Sequence, residues 1–169
     1  MFVADGFDTG IDGFELRAAR PDDSELILDF IRELADYEKL SHEVVATPEI
    51  LQNSLFGEKP AAEVVLGFYR ERAVCCAIFF HNFSTFLGKP GLYLEDLYVR
   101  QDERGKGYGR VVLKYLAWLA VSRDCGRMEW SVLDWNKAAI RFYETLGAKP
   151  TGDWTVYRLT GDELESLAR

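Results

Sequence analysis

Between Tyr93 and Ser122 the chain passes from an apolar strand, residues 93–99, through Arg104-Gly105-Lys106-Gly107-Tyr108-Gly109 into a helix whose apolar stripe is Val112, Tyr115, Leu116 and Leu119. A period of two gives way to one of 3.6 across the glycines. Glycines at alternate positions let the backbone curl so that its N–H groups point inward, which makes an anion site. The helix that follows adds the positive end of its dipole. A pyrophosphate suits such a loop, with the Lys106 and Arg110 side chains within reach of outlying oxygens. The glycine positions 105, 107 and 109 exclude both G-x-x-x-x-G-K-[ST] and G-x-G-x-x-G, so neither ATP nor NAD is the expected ligand. A plain strand-to-helix turn accounts for the same glycines, and the surrounding residues have to decide.

The strand before the loop carries two adjacent carboxylates, Glu95 and Asp96, in an otherwise apolar run. Strict alternation points them to opposite faces, and a central strand would bury both at a cost. A carboxylate so placed needs a partner or a raised proton affinity, the state of a general base or a cation-binding group. Glu95 is assigned that role. Asp96 is equally well explained by pairing with a buried cation or a backbone donor.

The rest of the chain reads as a mixed α/β pattern. Strands are expected over residues 14–18, 63–69, 73–80, 128–132 and 154–159, the second and third as an antiparallel hairpin around residues 70–72. Asp22 with Glu25 resembles a capping box for a first helix whose stripe is Leu26, Ile27, Phe30, Ile31 and Leu34. Tyr37 to Ala46 reads as loop. Thr47-Pro48 opens a second helix that ends near Gly57, Asn136 to Leu146 forms a helix closed by Gly147, and Thr160 with Glu163 caps a short last one. An early antiparallel run followed by strand-helix-strand-helix implies a mixed, mostly antiparallel central sheet with helices on both faces.

With 169 residues, 48% of them hydrophobic, the chain can bury one core, so residues 14–169 are expected to be a single domain. Residues 1–13 read as a flexible leader without the basic and apolar regions of a signal peptide. The longest uncharged apolar run, residues 73–80, is far short of the about 20 residues that span a bilayer. Against 20 basic residues stand 28 acidic ones, a net charge of -8 that repels nucleic acid and anionic membranes and tilts the partner toward a cation. Cys75, Cys76 and Cys125 show no C-x-x-C spacing and are odd in number, which fits a reducing cytoplasm. His42 and His81 have no metal-ligand spacing, so no metal is expected.

Arg104, Gly107 and Gly109 match the acetyl-CoA loop of the GNAT acetyltransferases, Gln or Arg, two residues, Gly, any residue, Gly or Ala. Downstream, Asn136, Ala139, Phe142, Tyr143 and Gly147 match the second motif of that family, N-x-x-A-x-x-F-Y-x-x-x-G. More narrowly, Glu33-Leu34-Ala35 with Tyr37-Glu38, Phe56-Gly57-Glu58 with Pro60, Gly88-Lys89, Leu92 to Asp96, and Trp135-Asn136 resemble the spermidine/spermine (diamine) N-acetyltransferases, from about Phe14 to the C-terminus. Those enzymes carry an acidic residue and a tryptophan where Ser84 and Phe86 stand here.

The resemblance implies a GNAT fold, acetyl-CoA as donor, a small-molecule amine as acceptor and a homodimer. It implies cofactor contacts from Leu97, Tyr98, Val99, Arg104, Gly105, Lys106, Gly107, Tyr108, Gly109, Arg110, Asn136 and Tyr143, and an amine site walled by Tyr37, Glu38, Glu43, Glu95 and Asp96. By their residues alone Tyr143 fits a core tyrosine and Asn136 an N-cap. The resemblance makes Tyr143 the general acid. An ammonium of pKa about 10 must lose its proton before attacking a thioester, and Glu95, directly or through water, is the candidate base. The oxyanion would meet N–H groups near Leu97 to Val99 if the strand bulges or splays there, as in the family. Direct transfer in a ternary complex then needs no nucleophilic cysteine. A peptide amine or an aminoglycoside as acceptor, or an acyl-CoA-binding module without catalysis, are the alternatives.

Overall fold

The structure, a computed structural model, describes residues 7–152 and 155–169. They fall into two compact units, one ending at Ser131 and the other spanning Val132–Arg169. The first contains β1 (Phe14–Ala18), α1 (Ser24–Glu38), α2 (Pro48–Phe56), β2 (Glu63–Tyr69), β3 (Arg72–Ser84), β4 (Lys89–Val99), α3 (Tyr108–Ser122) and β5 (Arg127–Trp130). The second contains α4 (Lys137–Thr145) and α5 (Gly161–Leu167).

The sheet follows chain order, β1-β2-β3-β4-β5. Neighbours are antiparallel except β4 and β5, which are parallel because α3 carries the chain back between them. β3 is the central strand, buried without interruption from Ala73 to Phe79, as a strand covered on both faces must be. On one face Val64, Leu66, Cys76, Ile78 and Tyr98 pack against Ile27 and Phe30 of α1 and Leu55 of α2. On the other, the Phe14 ring stacks on Tyr108 of α3 with centroids 4.3 Å apart. Each fully buried large side chain of such a core contributes roughly 1.5–3 kcal/mol. Helices on both faces of a mixed, mostly antiparallel sheet are what the pattern predicts.

Local signals account for several boundaries. The Thr47 hydroxyl accepts the Ile50 N–H at 3.3 Å with Pro48 in the first helical position. Arg70 and Glu71 turn the β2–β3 hairpin with φ of 47° and 71°, the left-handed pair that matches strand twist. In the segment before β1, the Thr9 hydroxyl donates to the Phe14 carbonyl at 2.8 Å and the Phe7 ring meets Tyr115 of α3 edge-on at 5.2 Å.

Other expectations need correction. Asp22 and Glu25 form no capping box, because residues Pro21–Asp23 make a single 3-10 turn and α1 starts one residue later. Asp23 holds that turn, taking the Arg17 guanidinium on both oxygens and the Arg20 N–H, each at 2.7 Å. α1 runs to Glu38, so Tyr37 and Glu38 are helical rather than loop. Lys39 ends the helix in the left-handed conformation. The strands β3 and β4 reach Ser84 and Lys89, which pair, although His81, Asn82 and Gly91 interrupt the apolar pattern there. The ladder itself carries them.

β5 ends at Trp130 rather than at residue 132. Of the last expected strand, Trp154 lies outside the described residues, and Thr155 to Leu159 form no strand. Val156 and Tyr157 have β propensity but are 86% and 91% exposed, and propensity makes a strand only where an edge accepts it. Thr160 precedes α5 in extended conformation, yet its side chain makes no cap bond.

Candidate functional site

The glycine loop has the geometry that an anion site needs. Gly105 and Gly107 have φ of 79° and 93°, which only glycine adopts cheaply. Gly107 is the N-cap of α3 and supplies no side-chain cap. The first intrahelical bond, Val111 N–H to the Gly107 carbonyl at 3.1 Å, leaves the N–H groups that start at Tyr108 directed out of the helix end. No acidic residue stands in this first turn. Gly109 needs no special φ; a Cβ there would make ordinary contact with Val99 at 3.7 Å.

The side chains of the loop divide in a way the motif does not reveal. Tyr108 is 3% exposed and belongs to the core, so only its backbone serves the loop. The Arg104 guanidinium lies 4.3 Å over the Tyr37 ring and 5.4 Å from that of Tyr98, and its Nε donates to the Val99 carbonyl at 3.0 Å. A residue expected at the cofactor and one expected at the amine therefore meet. Lys106 Nζ donates to Glu103 Oε2 at 2.8 Å, and Arg72 bonds Glu103 Oε1 at 3.0 Å and Asp102 Oδ2 at 2.8 Å. Arg110 is exposed in the first turn of α3.

β4 both bulges and splays. Phe79 pairs with Leu94 and Ile78 with Asp96, which leaves Glu95 as the extra residue of a β-bulge. Pairing with β5 stops at Leu94↔Trp130, while pairing with β3 continues to Val99. Among the described residues, Glu95 to Val99 thus have no ladder neighbour on the β5 side. The Arg100 N–H bonds the Val74 carbonyl on β3 at 3.0 Å, so the alternation of the strand turns the N–H groups of Val99 and Leu97 to the open edge. The Tyr98 ring is core, 6.4 Å from that of Phe30, and contributes backbone alone.

The carboxylates depart from strict alternation for the same reason. Glu95 is exposed at the bulge, where β5 has already left, so the expectation of two buried acids holds for Asp96 only. Asp96 is half-buried, and no lysine or arginine pairs with it among the described residues. Burial, then the charges of Glu95 and Glu38, push its pKa up to about 6. Burial also raises Glu38, in the last turn of α1. The charges of Glu95 and of Glu38 on α1 thus both act on Asp96, and a cationic group beside it would relieve that repulsion. Glu43 lies apart on an exposed turn with His42, 3.3 Å away.

In the second unit, Asn136 caps α4, its side-chain oxygen accepting the Ala139 N–H at 3.2 Å. Tyr143 is half-buried on α4, its ring 5.5 Å from that of Phe142, and Gly147 closes the helix at φ 87°. Cys75 and Cys76 are buried in β3. Burial raises both thiols, Cys75 to about 12, so neither supplies a thiolate. No cluster of metal-ligating residues occurs among the described residues, and no helix there is long and apolar enough to cross a membrane.

A glycine loop at a helix start, an open strand edge beside it and a group of carboxyls at the bulge are the parts for holding a phosphate-bearing donor against an amine. Residues 28–148 match the Acetyltransferase (GNAT) family. The chain is 36% identical to the thialysine N-epsilon-acetyltransferase of Sus scrofa over 90% of this chain and 96% of that protein. It is 31% identical to the L-ornithine N5-acetyltransferase NATA1 of Arabidopsis thaliana over 90% of this chain and 86% of that one. Among solved structures, an integron cassette protein from the mobile metagenome of V. cholerae superposes with a TM-score of 0.78 and 25% identity, covering 93% of this chain and 98% of that one.

Proposed function

Because the chain belongs to the GNAT family and is an N-acetyltransferase, we propose that it moves the acetyl group of acetyl-CoA onto a primary amine of a small cationic molecule, a di- or polyamine or a thialysine-like amino acid. The observation that carries this is the set of three carboxyls, Glu95 and Asp96 at the bulge of β4 and Glu38 of α1 acting on Asp96, on the strand that leads toward the glycine loop. Two relatives, named for thialysine and ornithine, act on amino acids with a terminal side-chain amine. The net charge of -8 adds attraction for such a cation. Residues 14–169 are taken together as the transferase domain.

In this reading the first-turn N–H groups of α3 and the loop Arg104 to Arg110 hold the pyrophosphate, and the open edge at Leu97, Tyr98 and Val99 lies along the pantetheine arm. The open-edge N–H groups of β4 meet the developing oxyanion. Tyr37, Glu38 and Asp96 bind the ammonium. Glu95, directly or through water, takes its proton, Tyr143 protonates the departing thiolate, and Asn136 contacts the cofactor. The N–C bond forms as the C–S bond breaks, within one ternary complex and without an acyl-enzyme. A second reading moves the base to Asp96, whose raised pKa suits a proton acceptor near neutrality. We further assign a cytoplasmic homodimer.

Initial rates of thiol release from acetyl-CoA, over putrescine, spermidine, spermine, thialysine, ornithine, lysine, an aminoglycoside and a short peptide, test the proposal. The highest kcat/KM is expected with an amine on a short, flexible cation. A preference for the peptide or the aminoglycoside would move the acceptor to another class, and acetyl-CoA binding without thiol release from any amine would leave only a binding module. The loop makes its own prediction. Gly107→Ala, at φ 93° with Ile11 Cδ1 3.4 Å from the new Cβ, is expected to raise the KM for acetyl-CoA about 10-fold and to cost about 1–2 kcal/mol in chemical denaturation.

A further inference from the structure

Among the described residues, Glu103 is the one charged residue that is buried, 6% exposed between β4 and α3. A buried carboxylate is costly unless paired, and this one is paired twice. Its Oε1 takes Arg72, from the first residue of β3, and its Oε2 takes Lys106, from the middle of the glycine loop. Asp102 beside it binds the other arm of the Arg72 guanidinium. The short turn Gln101–Glu103 is thus tied on one side to the central strand and on the other to the loop whose two left-handed glycines flank Lys106.

Arg72 and Lys106 are in this way already matched by two carboxylates, Asp102 and Glu103. Lys106 is directed by a 2.8 Å charge-assisted bond toward the interior, and that bond raises its pKa. An anion at the start of α3 then meets oriented backbone N–H groups more than lysine charge.

We propose that Glu103 is a positioning residue for the donor: its carboxylate, clamped by Arg72, fixes the loop through Lys106 in the course that presents the α3 amides, and Lys106 serves as its partner and not as a phosphate ligand. The inference rests on the reading of the loop as the pyrophosphate site. It adds a residue outside both sequence motifs and reverses the role that charge alone suggests for Lys106.

The test compares two acetyl donors, acetyl-CoA and S-acetylpantetheine, which lacks the pyrophosphate. In Glu103→Gln the ratio of kcat/KM for acetyl-CoA to that for S-acetylpantetheine is expected to fall about 10-fold, through the KM for acetyl-CoA and not that for the amine. Tighter binding of acetyl-CoA, as a liberated Lys106 touching phosphate would give, overturns the proposal, and so does an equal loss with both donors, which marks a general effect on the fold. Lys106→Met gives a second route should the glutamine variant not fold. Its KM for acetyl-CoA is expected to rise with an unchanged dependence on salt, whereas a shallower salt dependence would mean a lost phosphate contact and overturn the proposal. If the unaltered enzyme uses both donors equally well, the pyrophosphate reading itself fails, and the inference with it.

Discussion

Replacing Tyr143 by phenylalanine is expected to lower kcat by about 10- to 10⁴-fold while leaving the affinity for acetyl-CoA nearly unchanged, the scale of losing a general acid. The change removes one hydroxyl and keeps the ring that packs beside Phe142 on α4. Isothermal titration with CoA and single-turnover rates separate the two quantities. A kcat within about two-fold of the parent would take Tyr143 out of the chemistry and return it to the core role that its helical position alone suggests. A large rise in KM for acetyl-CoA with kcat preserved would make it a binding residue instead.

Asp96→Asn is expected to reduce kcat/KM by about 10²-fold at neutral pH and, in the same protein, to raise stability. The sign follows from the shift. The folded pKa of about 6 lies above the ordinary carboxyl value, so below pH about 4 both states carry the proton and Asp96 costs nothing. As pH rises from about 4 to about 6 the unfolded chain ionises first, and stability is lost across that window. At pH 7 the asparagine variant should be more stable by about 2 kcal/mol, and at pH 4 by close to nothing, as urea denaturation at the two values would measure. An amide that brings no gain at pH 7 would mean that the carboxylate is stabilised by a partner in solution.

The pH profile of this variant also divides the two assignments of the base. If Asp96 takes the proton, the rise of kcat/KM through an apparent pKa near 6 disappears in Asp96→Asn and persists in Glu95→Gln. If Glu95 does, Glu95→Gln loses most at low pH, where free amine is scarcest, and Asp96→Asn keeps the profile with a raised KM for the amine.

Much of this molecule is written locally in its sequence. The apolar runs of β2 and β3, the cap at Thr47-Pro48, the Asn136 cap of α4 and the glycines at 105 and 107 depend on residues a few positions apart, and each appears where local rules put it. The glycine loop between strand and helix was legible for the same reason, whereas the second motif around Tyr143 was read from the family resemblance.

Tertiary structure decided what depends on partners distant in sequence. Whether residues 155–159 form a strand depended on an accepting edge, and the length of β3 and β4 on each other, since backbone pairing overrides weak propensity. The bulge at Glu95 and the departure of β5 after Leu94 exposed one carboxylate and left its neighbour half-buried, a distinction that alternation cannot make because it assumes an unbroken ladder. Tyr37 came to lie on Arg104, and Glu103 between Arg72 and Lys106, because α1 and β3 approach the end of β4 in space. The sequence determined which chemical groups the chain carries and the local turns that present them; the fold decided which groups meet, because charge and burial act through distance in space and not along the chain.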